Sequence, residues 1–360
     1  MNSDFIIIGG GVIGLASALE LARDGARVTV LERGAVGAES SWAGGGILSP
    51  LLPWDYPDAV SRLCNLGVEL YPQWSARLMS GSGIDPEFWV SGMLVLAPVD
   101  EIAAEYWCVQ HGWRFTREHA QTRVSALAEN GSALWLPDVA QVRNPRLVQA
   151  LRVAVLDAGV NLLEGVEVMQ VVRASPARID YLDTSRGKLQ AGAYIVAAGA
   201  WSQSVLGDIA PHWPIKPMRG QMLLFKAAPD MLPHIVYREG IYLIPRRDGH
   251  ILAGSTVEDV GFDKSTTEAV RQMLYDAATG ILPALQSAPL VQHWSGLRPG
   301  SPDNIPTISL HPLVENLYAN TGHFRYGVTM APASAQILAN LIAGRPQTLD
   351  VAPYRWAAGE

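Results

Sequence analysis

The sequence predicts an α/β protein in two domains: a doubly wound, mostly parallel sheet, and an antiparallel α+β domain inserted into it. Three observations support this prediction. An apolar strand, a helix and a second apolar strand follow one another within residues 5–31. Another apolar strand occurs far along the chain, at residues 194–199. Between residues 220 and 257, by contrast, short strands alternate with turns, which is typical of an antiparallel sheet.

The N-terminal unit begins with the apolar run at residues 5–8, which suits a central strand buried on both faces. Glycines at positions 9–11 end this strand. A helical pattern follows, with apolar residues on one broad side up to Gly25, and residues 28–31 form the second strand. These elements make one β-α-β unit, which is the usual start of a doubly wound sheet.

Residues 35–57 show no periodicity and are interpreted as a long functional loop. Asn144 and Pro145 mark a helix start, with asparagine as the N-cap and proline in the first helical position. Gly344 and Pro346 stop the last helix. Spacing predicts helices at residues 58–79, 145–159, 266–280 and 333–342, short strands and a helix within 83–140, and strands at 166–172 and 194–199.

The domain boundaries follow from which elements are expected to share a sheet. The strands of the N-terminal unit and those of residues 145–200 belong together in the parallel sheet. The first domain is therefore predicted at residues 1–82, 141–219 and 291–360, and the second at residues 83–140 and 220–290.

Composition narrows the class of protein. The 360 residues are 49% hydrophobic, and a formal net charge of −7 without any Lys/Arg run argues against nucleic-acid binding. No apolar stretch reaches the ~20 residues of a membrane span, and no basic segment precedes the first apolar run. Cys64 and Cys108 are far apart, which excludes a disulfide scaffold and a cysteine-rich metal site. We expect a cytoplasmic enzyme without metal or membrane.

Residues 9–14 read Gly-Gly-Gly-Val-Ile-Gly and match the G-x-G-x-x-G pattern between a strand and a helix. Gly9 permits a tight turn, Gly11 lets a pyrophosphate approach the backbone, and Gly14 lets the helix pack on the strand. The helix N-terminus favours the diphosphate. Glu32 ends the second strand, where a carboxylate accepts hydrogen bonds from ribose hydroxyls. Together these features predict a Rossmann-like dinucleotide site.

Between the two common dinucleotides, the residues favour FAD. The glycine-rich segment at residues 43–46 would lie along an extended dinucleotide and bring backbone N–H groups to its second half. An NAD dehydrogenase more often carries its acid/base residues after such a domain, and the sequence offers no convincing His–Asp pair.

Several segments resemble the D-amino acid oxidase superfamily of FAD-dependent oxidoreductases and, within it, the glycine oxidase family. The resemblance covers essentially the whole chain, in order. The glycine motif is shared by many flavoproteins, whereas the two arginine motifs near the C-terminus are much more specific. The segments that carry the resemblance are residues 9–14, 32–33, 40–48, 197–202, 242–246, 296–303 and 322–327.

The resemblance implies an FAD-binding domain, with the antiparallel domain covering the flavin ring as the substrate domain. Because Cys64 and Cys108 lie outside every motif that resembles a flavin contact, we expect FAD to be bound noncovalently. The resemblance implies oxidation of glycine and other small amino acids, such as sarcosine and small D-amino acids, to the imine. The imine then gives a 2-oxo acid and ammonia, while oxygen becomes hydrogen peroxide. It also implies a role in thiamine thiazole biosynthesis and a homo-oligomer, commonly a tetramer among relatives.

The same resemblance assigns roles to individual residues. Arg298 would bind the substrate carboxylate, Tyr242 would assist it, and Arg325 would lie beside the flavin and the substrate. Val168 would touch the adenine end, and His323 would help to hold the flavin without transferring a proton. The implied FAD contacts are Gly9, Gly11, Val12, Ile13, Gly14, Glu32, Arg33, Ser40, Ser41, Gly45, Gly46, Ile47, Val168, Gly199, His323, Phe324, Arg325, Tyr326, Gly327, Val328 and Thr329.

Other activities stay open. Monomeric sarcosine oxidases link FAD to a cysteine late in the chain, whereas both cysteines here precede residue 110. A D-amino acid oxidase would use the same chemistry, and a dehydrogenase would pass its electrons to a respiratory carrier. A non-catalytic FAD-binding subunit would keep the glycine motif and lose Arg298 and Tyr242. Gly240 and Ile241 stand where certain glycine oxidases carry polar side chains, which leaves the substrate range open.

Overall fold

The computed structural model describes residues 3–128, 131–210 and 212–356. Within these ranges the strands are, in chain order, β1 (Ser3–Ile8), β2 (Val28–Glu32), β3 (Ile47–Leu48), β4 (Trp89–Val90), β5 (Met93–Leu96), β6 (Thr116–His119), β7 (Ser132–Leu136), β8 (Ala140–Gln141), β9 (Asn161–Glu164), β10 (Val168–Ser175), β11 (Arg178–Thr184), β12 (Gly187–Leu189), β13 (Ala191–Val196), β14 (Lys216–Lys226), β15 (Ile235–Arg238), β16 (Ile241–Pro245), β17 (His250–Gly254), β18 (Leu290–Gly300), β19 (Thr307–Leu310) and β20 (Leu317–Thr321).

The α-helices of the same ranges are α1 (Val12–Arg23), α2 (Ser40–Ala43), α3 (Asp58–Ser82), α4 (Glu101–His111), α5 (Ala120–Arg123), α6 (Asn144–Asp157), α7 (Ser202–Leu206), α8 (Glu268–Ile281) and α9 (Gly327–Ile342). Short 3-10 turns lie at Pro53–Asp55, Gly199–Trp201, Gly207–Ile209, Pro283–Ser287, Pro302–Asn304 and Ala352–Tyr354.

A six-stranded sheet in the order β19-β20-β13-β1-β2-β9 forms the centre of the first half of the fold. All its neighbouring strands are parallel except β19, which runs antiparallel to β20 at the edge. Helices α1, α3, α6 and α9 share one core on one face of this sheet. The predicted doubly wound, mostly parallel sheet is confirmed, and residues far apart in sequence contribute to it.

An eight-stranded sheet in the order β18-β14-β17-β16-β15-β5-β7-β6 forms the other half of the fold. Its pairs are antiparallel apart from β15 with β5, which are parallel. Helix α8 packs on one face through a core of its own, and α4 packs on the other face. The predicted antiparallel α+β part is therefore confirmed.

The domain limits stay a prediction. Strand β18 spans residues 290–300 and pairs along its length with β14, which begins at residue 216. Both strands therefore cross the expected limits at residues 290 and 219. The expected outer limits, residues 1 and 360, lie outside the described residues.

Two local predictions need correction in the first half of the chain. The segment 35–57, interpreted as a loop, contains the short helix α2, the short strand β3 and a 3-10 turn. The strand expected at residues 166–172 begins at Val168, after a separate strand, β9. Short elements of this kind are held by partners distant in sequence, such as β8 for β3, so local periodicity does not reveal them.

The last helix begins at Gly327, six residues before the predicted start, and contains Pro332. Proline has no N–H for the carbonyl four residues earlier, that of Val328. The buried Tyr71 hydroxyl, on α3, donates to this carbonyl at 2.7 Å. A tertiary contact thus replaces the missing helical hydrogen bond, which explains why the proline does not mark the helix start.

Tyr71→Phe should lower the free energy of unfolding by about 0.5–1.5 kcal/mol, because it removes the hydrogen bond from the tyrosine to the half-buried Val328 carbonyl. The midpoint of urea unfolding measures this loss. Tyr106→Phe is the matched control, because Tyr106 is 69% exposed. Equal midpoints for the two variants would contradict the role of Tyr71.

Candidate active site

Nearly all of the residues predicted for the site line one continuous cleft. It lies where the carboxyl ends of β1, β2 and β13 face β16 and β18 of the larger sheet. Gly14 is the one predicted residue that does not line the cleft. The predicted residues that do line it are Gly9, Gly11, Val12, Ile13, Glu32, Arg33, Ser40, Ser41, Gly45, Gly46, Ile47, Val168, Gly199, Tyr242, Arg298 and residues 323–329.

The glycine-rich turn between β1 and α1 is tightly packed. Gly9 has a φ of +114°, and a Cβ there would lie 2.4 Å from the carbonyl oxygen of Ala197. Gly11 is the N-cap of α1, and the next N–H, that of Val12, donates to Ser41 Oγ at 2.9 Å. A Cβ on Gly14 would lie 1.9 Å from the Gly9 carbonyl oxygen. Gly14 therefore permits the close packing of the helix on the turn rather than contact with a ligand.

The carboxylate of Glu32 lies at the end of β2 and stabilises the same turn. Its two oxygens accept hydrogen bonds from the N–H groups of Gly10 and Gly34, each at 2.9 Å. The neighbouring Arg33 stacks on Trp201, with its guanidinium carbon 3.8 Å from the ring centroid. Val168 lies on the same end of the cleft wall, beyond Val166 and Glu167. This end offers a carboxylate, an aromatic–cation pair and an apolar wall.

A buried arginine holds the glycine-rich loop that follows α2. Arg246 is 6% exposed, and its guanidinium donates to the carbonyl oxygens of Gly45 and Val142, at 2.6 and 3.0 Å. It also donates to Gln141 Oε1 at 2.8 Å. Burial lowers its pKa to about 10. The loop is thus fixed from outside the cleft, and its glycines face the cleft.

Asn144 differs from its predicted role. It is the first residue of α6 rather than the N-cap, and its side chain makes no capping hydrogen bond. The side chain is fully buried beside Gly44 and Gly46, and neither its amide nitrogen nor its oxygen has a partner among the described residues. Because Asn144 lines the cleft, its unpaired amide fits a bound polar group there. Sequence analysis missed this residue because its N-cap pattern supplied a sufficient local explanation.

His323 and the residues after it connect β20 to α9 along the cleft. His323 Nε2 lies 2.8 Å from Ser334 Oγ, and burial lowers the histidine pKa to about 3. The imidazole is therefore neutral in ordinary buffers. Arg325 is exposed at the cleft, whereas the Tyr326 ring is buried and packs edge-on against Tyr56, with centroids 5.3 Å apart.

Arg298 lies on β18, opposite Met218 of β14. It donates to Ser255 Oγ at 2.7 Å and to the Thr256 carbonyl oxygen at 3.0 Å. A Cβ on Gly220 would lie 1.9 Å from Arg298 Nη1, so glycine leaves the space for the guanidinium.

Charge makes Arg298 unusual. Burial lowers the pKa of the Arg298 guanidinium. The neighbouring Tyr242 raises this pKa, and the positive charge of Arg325 lowers it further. Arginine nevertheless stays protonated at working pH. Among the residues that the structure describes, the hydrogen bonds and charge interactions of Arg298 include no carboxylate. The described lining of the cleft therefore contains a half-buried cation without a counter-ion.

Tyr242 lies beside the glycine-rich loop, on β16, directly across from Tyr237 of β15. Its side chain is buried, with the hydroxyl 3.9 Å from the Met222 sulfur. A Cβ on Gly45 would lie 3.3 Å from the Tyr242 ring. The ring thus forms a wall between the loop and the Arg298 end of the cleft.

Both cysteines, Cys64 and Cys108, are free, buried and outside the cleft lining. No cluster of His, Cys, Asp or Glu able to hold a metal ion occurs in residues 3–128, 131–210 and 212–356. Among these residues, no helix has both the length and the apolar character needed to cross a membrane.

Comparisons with known proteins place these features in a family. A family model described as FAD dependent oxidoreductase matches residues 4–341. The chain is 42% identical to the glycine oxidase of Pseudomonas aeruginosa over 359 residues, which is 98% of each protein. It is 34% identical to the bifunctional protein ThiO/ThiG of Trichormus variabilis, over 95% of this chain and 53% of that protein. The crystal structure of glycine oxidase from Geobacillus kaustophilus matches with a TM-score of 0.93 at 27% identity, covering 100% of this chain and 99% of that one.

Proposed function

The chain belongs to the FAD dependent oxidoreductase family, and from this membership we propose that it oxidises glycine and other small amino acids, including sarcosine and small D-amino acids. The substrate loses two electrons and two protons from its Cα–N unit and becomes an imine. Water hydrolyses the imine to the 2-oxo acid and ammonia, or methylamine from sarcosine. Oxygen takes up the two electrons and two protons and becomes hydrogen peroxide.

FAD is the cofactor, and when bound it would supply the acceptor for hydride from the substrate Cα and the route of the electrons to oxygen. The N–H groups at the start of α1, with Gly9 and Gly11, would hold the diphosphate. Glu32 would hold the ribose, and Val168 would contact the adenine. The glycine-rich loop and residues 323–329 would contact the remaining parts of FAD, including the flavin ring. The unpaired amide of Asn144 and the close-packed glycines support this fit.

The unpaired charge of Arg298 is the observation that carries the substrate assignment. A planar guanidinium binds both oxygens of a carboxylate, and an amino acid has one permanent carboxylate to be held. Tyr242 would donate its phenol hydrogen to the same group, and Arg325 would add positive charge at the exposed side of the cleft. The substrate amine and Cα would then be held at a fixed distance from the flavin site.

Proton transfer does not require a side chain in this arrangement. Burial lowers the pKa of His323 to about 3, which makes its imidazole a weak base, and we assign it no proton transfer. An amine that loses its proton on binding is ready for oxidation, and positioning then supplies most of the rate enhancement. The N-terminus of α9 at Gly327 lines the cleft, and its positive end would stabilise negative charge there.

FAD should be released when the protein is precipitated with acid, because both cysteines lie outside the cleft. The yellow colour is then expected in the supernatant, and its absorbance spectrum measures this release. A pellet that retains the colour would indicate a covalent link, as in monomeric sarcosine oxidases.

We also propose a cytoplasmic location, a homo-oligomer with four subunits, and a role in thiamine thiazole biosynthesis. The two free, buried cysteines agree with a reducing compartment. The similarity to a bifunctional ThiO/ThiG protein supports the thiamine role. Size-exclusion chromatography with light scattering measures the number of subunits.

A peroxide-release assay on a panel of amino acids tests the proposed activity. Glycine, sarcosine, D-alanine and D-proline should each release peroxide, whereas L-amino acids with large side chains should not. Reduction of the flavin without peroxide in air would indicate a dehydrogenase. A protein that binds FAD but oxidises none of the panel would contradict the proposal and favour a non-catalytic subunit.

A further inference from the structure

A single loop holds the guanidinium of Arg298. This loop, residues 255–267, joins β17 to α8 and is called the clasp loop below. Its first two residues accept hydrogen bonds from the arginine, through Ser255 Oγ at 2.7 Å and the Thr256 carbonyl at 3.0 Å. The direction of the Arg298 side chain therefore depends on where the clasp loop lies.

A second arginine, which does not line the cleft, fixes the clasp loop. Arg219 lies on β14 and is 4% exposed. Its guanidinium donates to Glu258 Oε2 and to Asp263 Oδ2, each at 2.7 Å, and to the Ser265 carbonyl at 3.0 Å. Arg219 and Glu258 also exchange two backbone hydrogen bonds of 2.9 Å. One buried cation thus holds three points of the loop.

Gln221 lies on the same face of β14 and holds the loop at further points. Its N–H donates to Thr256 Oγ1 at 2.9 Å, its Nε2 donates to Glu258 Oε1 at 3.0 Å, and its Oε1 accepts from the Thr267 N–H at 3.0 Å. Gly220, between Arg219 and Gln221, faces the opposite way and leaves space for Arg298. Arg219 and Gln221 therefore hold the clasp loop from one face of the strand, and Gly220 leaves space for Arg298 on the other face.

The distal part of the clasp loop reaches the rim of the dinucleotide end of the cleft. The Phe262 ring stacks on Trp201, with centroids 5.4 Å apart and an interplanar angle of 26°. Lys264 Nζ donates to Glu39 Oε1 at 3.0 Å. Trp201 and Glu39 both line the cleft. The loop thus spans the distance between the carboxylate-binding end and the cofactor rim.

We propose that Arg219 is a positioning residue: through the clasp loop it aims Arg298 at the substrate carboxylate and keeps the loop across the cofactor rim. This proposal rests on the carboxylate role proposed above for Arg298. The negative charge of Glu258, the partner of Arg219 in the clasp loop, supports the proposal. Partial burial would raise the pKa of Glu258, but hydrogen bonds from Arg219, Thr256 and Gln221 outweigh it and keep the pKa below its usual value.

Acetate is a suitable probe because it has the carboxylate of glycine and no amine to oxidise. Its dissociation constant is measured on FAD-saturated protein from the perturbation of the flavin absorbance. Arg219→Gln should weaken acetate binding about tenfold, within the ~2- to 150-fold range of coupling between residues of one network. The glycine KM should rise by a similar factor with little change in kcat, and FAD should dissociate faster. Arg219→Lys should restore part of the affinity because it keeps the charge.

The control is Arg178→Gln, which removes an exposed arginine paired with Glu315, far from the clasp loop. Its acetate affinity should equal that of the unmodified protein. If Arg219→Gln folds poorly, Glu258→Gln removes the negative charge of one partner of Arg219 and should weaken acetate binding in the same direction. When Arg219→Gln and Glu258→Gln are combined, the loss of acetate-binding free energy should be smaller than the sum of the losses in the two single variants.

Arg298→Ala, measured in the same titration, separates the two proposals. Loss of acetate binding in Arg298→Ala, with unchanged binding in Arg219→Gln and Glu258→Gln, overturns the positioning role alone. Unchanged binding in Arg298→Ala overturns the carboxylate role and the positioning role together. A drop in melting temperature without a change in acetate affinity shows that Arg219 is merely structural.

Discussion

Arg298→Ala is expected to raise the glycine KM by about thirty- to several-thousandfold, while the protein still folds and binds FAD. Arg298 is a half-buried cation that faces the cleft without a carboxylate partner among the described residues. Without it, the substrate carboxylate would be desolvated beside no counter-ion, which costs about 2–5 kcal/mol. Steady-state kinetics with glycine measure the change, and the flavin spectrum reports that the site is still formed.

Substitution by lysine refines this expectation. Arg298→Lys should recover only part of the affinity, since an ammonium keeps the charge but cannot bind both carboxylate oxygens in one plane. Simple amines without a carboxylate should be affected far less than glycine. Arg178→Ala, at an exposed ion pair, is the control for the loss of one positive charge. Near-normal glycine kinetics in Arg298→Ala would remove most of the case for an amino-acid substrate.

Glu32→Ala should weaken FAD binding about ten- to a hundredfold, because lost hydrogen bonds to a charged acceptor cost about 1.5–3 kcal/mol. The carboxylate accepts hydrogen bonds from the N–H groups of Gly10 and Gly34, so the change should also loosen the turn that would face the FAD diphosphate. Turnover of flavin-saturated protein should stay nearly intact, because Glu32 contacts the turn after β1, whereas Arg298 lies on β18 of the other sheet. Fluorescence titration with FAD measures the affinity.

Two further variants test this assignment of Glu32. Glu32→Gln keeps the shape and one oxygen acceptor, and we expect an affinity between those of the unmodified and alanine proteins. Glu315→Ala removes an exposed carboxylate on the surface and should leave FAD affinity unchanged. If excess FAD does not restore the activity of Glu32→Ala, then Glu32 has another role than holding the cofactor.

The N-terminal unit could be predicted because all its signals are local. A buried strand, a glycine-rich turn, a helix and a terminal acid lie within residues 3–32, and the structure places them as the pattern requires. The antiparallel sheet was also predictable from alternation and turns. The family resemblance, rather than periodicity, brought Arg298, Tyr242 and residues 323–329 into one site, and their roles remain proposals.

The features that sequence analysis missed depend on contacts between distant residues. The last helix was expected at residues 333–342, directly after Pro332, but Tyr71 on α3 supplies a hydrogen bond that lets the helix begin earlier. Asn144 fitted an N-cap pattern, yet its amide is buried beside the loop at residues 44–46. Sequence analysis gave no contact for Arg246 or Arg219, which the structure places at Gly45 and Glu258. No local pattern contains such pairings.

Anaerobic addition of glycine to the FAD-bound protein tests the central claim most directly. The claim is that a carboxylate held by Arg298 brings the substrate Cα to the flavin. We predict that glycine removes the yellow flavin absorbance without oxygen, and that air restores the colour with release of one peroxide per flavin. A flavin spectrum that stays oxidised with saturating glycine, sarcosine and small D-amino acids would contradict the account.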